Sequence, residues 1–390
     1  MLIKGNEKSM NTINNEPDHK KNNIFNVLAK RFIPQKKDPT KEKIRKIVVL
    51  CALVLFIGTS AFLLVNYASV KADRSSNDKL REYYHAYDGT NVNNNGTSPD
   101  KLSDIPIDTD DEEVIEFYEQ NPEALHNFAK LLELNSDTIG WLKVGDTGID
   151  YPVFKSYDNY FYLSHNNTKE YSRFGSVFAD WRTRIEMDDS SDVTILYAHN
   201  MESTGEYFEK LTNYSPWETG LDYYKQTPVV DYDTLFEQSK WKIFGAVYCS
   251  IDSDYGETFN YLDKIDFSDE SDFYEYISEV MDRSLFYTDV DVKYDDKFLI
   301  LSTCYFPIDR RVNGRFLVYA RKVRENESET VDTEKAVINP SPRLFEYFYE
   351  TQGGEWSGRS WDHSKVVGYD KWLKSRESEE SESSDGKQSE

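Results

Sequence analysis

The chain has 390 residues, with 46 Lys+Arg against 70 Asp+Glu and a net charge of −24. That sign excludes a simple electrostatic nucleic-acid binder, which needs clustered cations to meet phosphate. Three cysteines are too few for a disulfide framework or a four-Cys zinc site, and no period recurs along the chain as a repeat protein requires.

Residues 1–46 hold twelve Lys/Arg against five Asp/Glu, so the acidic surplus lies entirely downstream. Residues 47–70 contain no charge and read IVVLCALVLFIGTSAFLLV at their core. About 20 apolar residues rising 1.5 Å each cross a hydrocarbon layer of about 30 Å. Lys41, Lys43, Arg45 and Lys46 precede the run and assign the N-terminus to the cytoplasm. A flank that long is atypical of a cleaved signal peptide. The reading is a cytoplasmic basic segment over 1–46, a single-pass anchor over 47–70 and everything after it outside the membrane.

Residues 71–107 include Ser75-Ser76 and an Asn-rich patch at 91–95, a composition that predicts a solvated stalk. Residues 108–138 predict a helical hairpin, its second helix over 124–134 with Leu125, Phe128, Leu131 and Leu132 at helical spacing. A fragment starting near Asp108 is therefore expected to be soluble and active. Over 139–324 the pattern becomes short β runs: IGWLKV, GIDYPVF, GSVFAD, VTILYAH, KWKIFGAVYCS, KFLILSTCYF and RFLVYARKV. Tyr (28) and Phe (22) strengthen the bias toward strands, and the absence of a βαβ rhythm predicts an antiparallel sandwich or barrel. A helix over 270–284 interrupts them, with Phe273, Tyr276, Ile277 and Val280 on one face. The extension over 325–374 is rich in aromatics and predicts partial order, packed on the β domain. Residues 375–390 contain no apolar residue and predict a disordered acidic tail.

Chemistry is sought at strand ends. Cys51 lies in the apolar run, and Cys249 follows IFGAVY as a small strand residue. Cys304 ends a strand after Ser302 and Thr303, where a thiol can meet a ligand, although a lone Cys is more often buried and inert. A catalytic reading needs a base and a cation nearby. Among six histidines, His199 alone directly follows a strand, VTILYA, and opens a loop; His165 lies in the polar stretch SHNNTKE and reads as surface. Arg315 opens the strand after Cys304, so a hairpin returns it beside the thiol; on composition alone it is equally a solvated edge cation. No carboxylate spacing defines a metal site.

The segment Leu301-Ser302-Thr303-Cys304, with His199 in Tyr197-Ala198-His199-Asn200 and Arg315 on the next strand, resembles the sortase family and its TLxTC signature; the first Thr of that signature is Ile300 here. Tyr151-Pro152-Val153, Gly175-Ser176-Val177-Phe178, Asp180-Trp181-Arg182 and a helix-like stretch over 201–211 fit as well. The helix before the cysteine strand and the N-terminal helices look like class B sortases. The resemblance covers 108–324 and departs from class B in the extension after 325. It implies a mainly β fold, a closed antiparallel sortase-type β-barrel with N-terminal helices, an inserted helix and one transmembrane helix. The implied activity is that of a cofactor-free, metal-free cysteine transpeptidase. Cys304 would be the nucleophile, His199 the general acid/base and Arg315 the oxyanion or substrate stabiliser, with Ser302, Thr303 and Asn200 binding substrate. The implied partners are secreted proteins with an NPxTx-like C-terminal sorting motif and an amine of peptidoglycan precursor or pilin. A Cys-His peptidase or hydrolase and a non-catalytic surface protein remain as alternatives; the order His, Cys, Arg disfavours papain-like enzymes.

Overall fold

The structure is a computed structural model that describes residues 31–85, 116, 122–187 and 189–386. The chain divides into two units, residues 1–71 and 72–390. Helix α1, Thr40–His85, contains the apolar run and is long and apolar enough to cross a membrane. Helix α2, Pro122–Leu134, packs Phe128, Leu131 and Leu132 onto the β domain. The expected helix before Pro122 lies outside the described residues apart from Glu116.

The β domain runs in chain order through β1 (Thr138–Lys143), β2 (Asp150–Phe154), β3 (Val177–Ala179), β4 (Val193–Tyr197), β5 (Asn200–Met201) and β6 (Glu206–Tyr207). Two short helices, α3 (Pro216–Thr219) and α4 (Asp222–Gln226), lead to β7 (Val229–Thr234) and β8 (Lys240–Ser250). Then come α5 (Glu270–Arg283), β9 (Phe286–Tyr287), β10 (Phe298–Cys304), β11 (Gly314–Lys322) and β12 (Val337–Ile338), before α6 (Glu346–Gln352) and α7 (Tyr369–Gly386). Eight strands close a barrel in the order β1-β2-β3-β4-β10-β11-β8-β7. The expected seams are mostly antiparallel, but β2 with β3 and β4 with β10 are parallel. The expected helix-like stretch over 201–211 is instead a β5–β6 hairpin followed by a 3₁₀ turn over Glu209–Tyr214. Gly205, with φ of 71°, supplies the left-handed residue that the hairpin turn requires.

Helix α5 covers one barrel face. Phe273, Ile277 and Val280 recur at helical spacing and meet Val247, Phe298 and Ile300 in one buried cluster. Asp269 caps the helix by accepting from the Asp272 N–H at 2.9 Å.

Two segments differ from expectation. Residues 72–85, assigned to the stalk, continue α1 and lie on the barrel. Leu80 and Tyr84, one helical turn apart, are buried, and Tyr84 stacks on Trp141 at 4.2 Å. Two anchors in an otherwise polar stretch leave little periodicity to read, yet they cover a Trp that is 1% exposed. Residues 375–386, assigned to a disordered tail, continue α7; residues 387–390 lie outside the described residues. Trp372 and Leu373 seat the first turns of α7 on the cluster under α5, and Arg376 pairs with Glu275. A seated first turn removes the nucleation cost, after which Glu-rich sequence propagates readily.

The extension packs on α5 and the barrel. Arg321, 1% exposed, binds Glu327 and Asp291 and fixes the extension's first residues to β11. β12 pairs with β9, while Trp361, Val366 and Tyr369 join the cluster under α5. Buried Asp282 accepts from Arg359 Nε and Nη2, each at 2.9 Å, and from Trp361 Nε1 at 2.7 Å. A buried charge held this way is costly to unpair.

Two predictions follow from α1. A chain beginning at residue 72 should melt cooperatively, whereas one beginning at 108 loses Leu80 and Tyr84, bares Trp141 and should be about 3–5 kcal/mol less stable; comparison of their urea midpoints checks this. Burial pushes the Asp73 carboxyl up to about 6, against the opposing hydrogen bond from Tyr207. A carboxyl raised in the fold is stabilising only when protonated, so its contribution falls as pH rises from about 4 through 6. Asp73→Asn should therefore stabilise the full chain by about 1–2 kcal/mol at pH 7.5 and leave it unchanged at pH 4, read as melting temperature in detergent.

Candidate functional site

β10 is buried along its first six residues, and Cys304 is the first with solvent access. Burial on both faces explains the continuous apolar run FLIL. Phe298 and Ile300 face the cluster under α5, and Ser302 follows on that face, its hydroxyl bonded to Tyr261 Oη at 2.9 Å. Thr303 faces the other way and donates to the Ala198 carbonyl at 2.9 Å. Both side chains, expected to touch substrate, are 2% exposed and spent on internal bonds; they pin the strand end instead.

Three strands then fix a row of residues. β11 pairs antiparallel with β10 so that Arg315 lies directly opposite Cys304. On its other edge β11 sets Arg315 opposite Cys249 of β8. β4 pairs parallel with β10, Ser302 opposite Tyr197, and His199 follows two residues after the end of β4, as Cys304 does after Ser302. The seam continues past the strands: Asn200 Nδ2 donates to the Cys304 carbonyl at 3.0 Å. The return from Cys304 to Arg315 depends on Gly314, where a Cβ would collide with the Tyr305 carbonyl oxygen and lie 2.9 Å from the Tyr248 ring. Asn313 closes the loop in the left-handed region, with φ of 51°, where Asn is tolerated.

His199 Nε2 lies 2.8 Å from the Leu163 carbonyl oxygen. A carbonyl only accepts, so Nε2 carries a proton and Nδ1 is the basic nitrogen of the neutral ring. The Leu163 carbonyl is a backbone group that no side-chain pattern announces. Arg315 makes its hydrogen bonds among the described residues through Nη1, to Asn313 Oδ1 at 2.9 Å and the Gly314 carbonyl at 3.1 Å. Nε and Nη2 are left for a ligand. Asn200 Oδ1 is buried and without a hydrogen bond among the described residues, an unmet acceptor beside the Cys304 peptide.

The other expected sites lie apart. Burial pushes the Cys249 thiol up to about 12, with Arg283 and Arg315 only partly offsetting it, so it is inert at neutral pH. Cys51 lies on α1. His165, expected on the surface, is half-buried and stacks on Phe161 at 4.1 Å. A cleft of about 560 Å³ lined by Tyr84, His85, Trp141 and Asp233 lies beside β1 and β7, across the barrel from β10. No group of three His, Cys, Asp or Glu among the described residues has metal-binding geometry.

No protein-family model matches the chain. Sortase B of Listeria monocytogenes is 33% identical over 203 residues, which is 52% of this chain and 76% of that protein. Sortase B of Staphylococcus aureus is 28% identical over 177 residues, 45% of this chain and 67% of that protein. Among solved structures, a Staphylococcus aureus sortase B–substrate complex aligns with 66% of this chain and 100% of its own, at 21% identity and a TM-score of 0.48. Sortase B from Listeria monocytogenes aligns with 49% of this chain and 97% of its own, at 31% identity and a TM-score of 0.41. The first relative, one third identical over three quarters of its length, makes this chain a sortase-type cysteine transpeptidase. Within that class it belongs to the sortase B family.

The contrast between its thiols is testable. At pH 7.5 iodoacetamide should label Cys304 of the folded protein and leave Cys249 unmodified until denaturant is added, as peptide mass mapping would read; labelling of Cys249 in the native state would contradict its burial.

Proposed function

We propose that this protein is a membrane-anchored transpeptidase in which Cys304 attacks the scissile carbonyl of a C-terminal sorting signal. The reading is carried by Arg315 directly opposite Cys304 on β11, with His199 just beyond the end of β4, the strand paired with β10 on its other edge. The Cys304 proton passes to His199 Nδ1, and Sγ bonds to the carbonyl carbon as the carbonyl electron pair moves to oxygen. Arg315 Nε and Nη2 donate to that oxyanion; a lost oxyanion donor costs about 100- to 1,000-fold in kcat in comparable enzymes. Collapse breaks the C–N bond, and the leaving amine takes the proton from Nδ1, giving a thioacyl-enzyme. An incoming amine then loses its proton to Nδ1, bonds to the same carbon and expels the Cys304 thiolate. Asn200 Oδ1 accepts a substrate backbone N–H in this reading, which satisfies its buried oxygen.

The substrates follow from the family rather than from any pocket: an NPxTx-like signal on a secreted protein, and an amine of peptidoglycan precursor or pilin. A solved relative is a Staphylococcus aureus sortase B–substrate complex. The apolar stretch of α1 and the preceding cations favour a cytoplasmic N-terminus with residues 72–390 outside. The boundaries 47–70 for the anchor, 139–324 for the barrel and 325–386 for the extension complete the proposal.

The test uses full-length protein in detergent, a quenched-fluorescent peptide carrying Asn-Pro-Xaa-Thr-Xaa and triglycine as amine. Cys304→Ala should yield neither cleavage nor ligation while melting within a few degrees of wild type. Arg315→Lys keeps the charge but loses the planar fork, and should lower kcat by at least tenfold. Turnover by Cys304→Ala would sink the nucleophile assignment.

A further inference from the structure

The extension meets more than α5. Two loops leave the barrel at the end where Cys304 sits. One, residues 251–260, follows Ser250 of β8 and runs on to Tyr261, whose hydroxyl binds Ser302. The other, residues 305–313, joins Cys304 to Arg315. Residues 343–348 touch the first directly and reach the second through Tyr248.

On the first loop they hold three consecutive residues. The Tyr347 ring packs edge-on against Tyr255 at 5.2 Å. Gly256, with φ of 110°, comes so close to α6 that a Cβ would lie 2.8 Å from the Glu346 nitrogen. Arg343 Nη2 binds both carboxylate oxygens of Glu257, at 2.8 and 2.7 Å. The second loop is reached through the barrel's own aromatics. Behind these contacts Phe345 and Phe348 pack on Tyr248, and Tyr248 packs on Tyr305, the residue after Cys304. Phe348 also stacks on Trp217 at 5.3 Å.

We propose that residues 343–348 brace the two loops flanking Cys304, holding the substrate entrance ordered before ligand arrives, with Tyr347 and Arg343 as positioning residues. The proposal rests on the reading of Cys304 as nucleophile. Cys304 and Arg315 stand on strands whose ladder bonds do not involve the extension, so their chemistry does not depend on the brace. The loops do depend on it. A loop that must be ordered on binding spends part of the binding free energy on that ordering. Loss of the brace therefore raises KM and spares kcat.

The experiment compares full-length wild type, Arg343→Ala/Tyr347→Ala and Phe348→Ala in detergent. Hydrogen exchange needs no substrate and comes first. In the double variant, amides of 251–257 should exchange at least tenfold faster, with β10 and β11 unchanged. Phe348→Ala removes a ring that packs on Tyr248 but leaves Arg343 and Tyr347 in place, so only 305–313 should loosen; it carries the test if the double variant fails to fold. With the Asn-Pro-Xaa-Thr-Xaa peptide, KM of the double variant should rise about five- to tenfold, with kcat and the iodoacetamide rate at Cys304 within twofold. Unchanged loop exchange overturns the brace, and so does a lower KM, which would make the segment an obstructing lid. A wild-type enzyme that leaves the peptide intact contradicts the proposed substrate, while hydrogen exchange still decides the brace.

Discussion

The parallel seam between β4 and β10 is the constraint on which the site depends. His199 and Cys304 lie 105 positions apart in sequence, and only that seam brings their strand ends level. Evenly spaced ladder bonds hold a parallel pair in register, and here the lock extends beyond both strands. Thr303 and Asn200 bond across the gap, each side chain reaching the other strand's backbone. A one-residue slip would turn Cys304 toward the opposite face and leave the thiol away from both partners. The hydroxyls of Ser302 and Thr303 support this register from buried positions, each bonded inside the protein.

The barrel is also locked from outside. Helix α5 and the extension form a second layer over β8, β10 and β11, and their shared cluster includes Cys249 and Ile300. Ile300 stands where the signature has Thr. In this chain the position is fully buried beneath α5, where an apolar side chain packs without an unmet hydroxyl. Asp282 is the polar fixture of that layer, and Arg359 and Trp361 satisfy it from a segment about 80 residues further on.

Much of this was readable from residue patterns. Seven of the barrel strands announced themselves as apolar runs between turns, and α5 as a stripe at helical spacing. The order His, Cys, Arg at strand ends pointed to the candidate site. β7 escaped notice because VVDYDT alternates buried Val230 and Tyr232 with Asp231 and Asp233, and the acids mask the period of two. The docking of residues 72–85 rests on two side chains, too few for a pattern. The Leu163 carbonyl that orients His199 belongs to the backbone and is invisible in composition. The aromatics at 344–349 marked the extension as packed, but their partners Tyr248, Tyr255 and Trp217 come from a strand, a loop and a short helix, a meeting that only the fold supplies.

The cross-strand row has a consequence for oxidative damage. Cys304 and Cys249 flank Arg315 on its two sides, so their backbones stand two strand spacings apart, about 10 Å. A disulfide needs Cα atoms within about 7 Å. Cys304 therefore has no resolving partner in its own barrel. A sulfenic acid formed there by peroxide cannot be captured as an internal bridge, and its recovery depends on a small thiol or a reductase from outside the molecule. The arginine that stands between the two cysteines thus keeps the half-buried Cys304 thiol chemically alone, with no neighbour to rescue it from an oxidant.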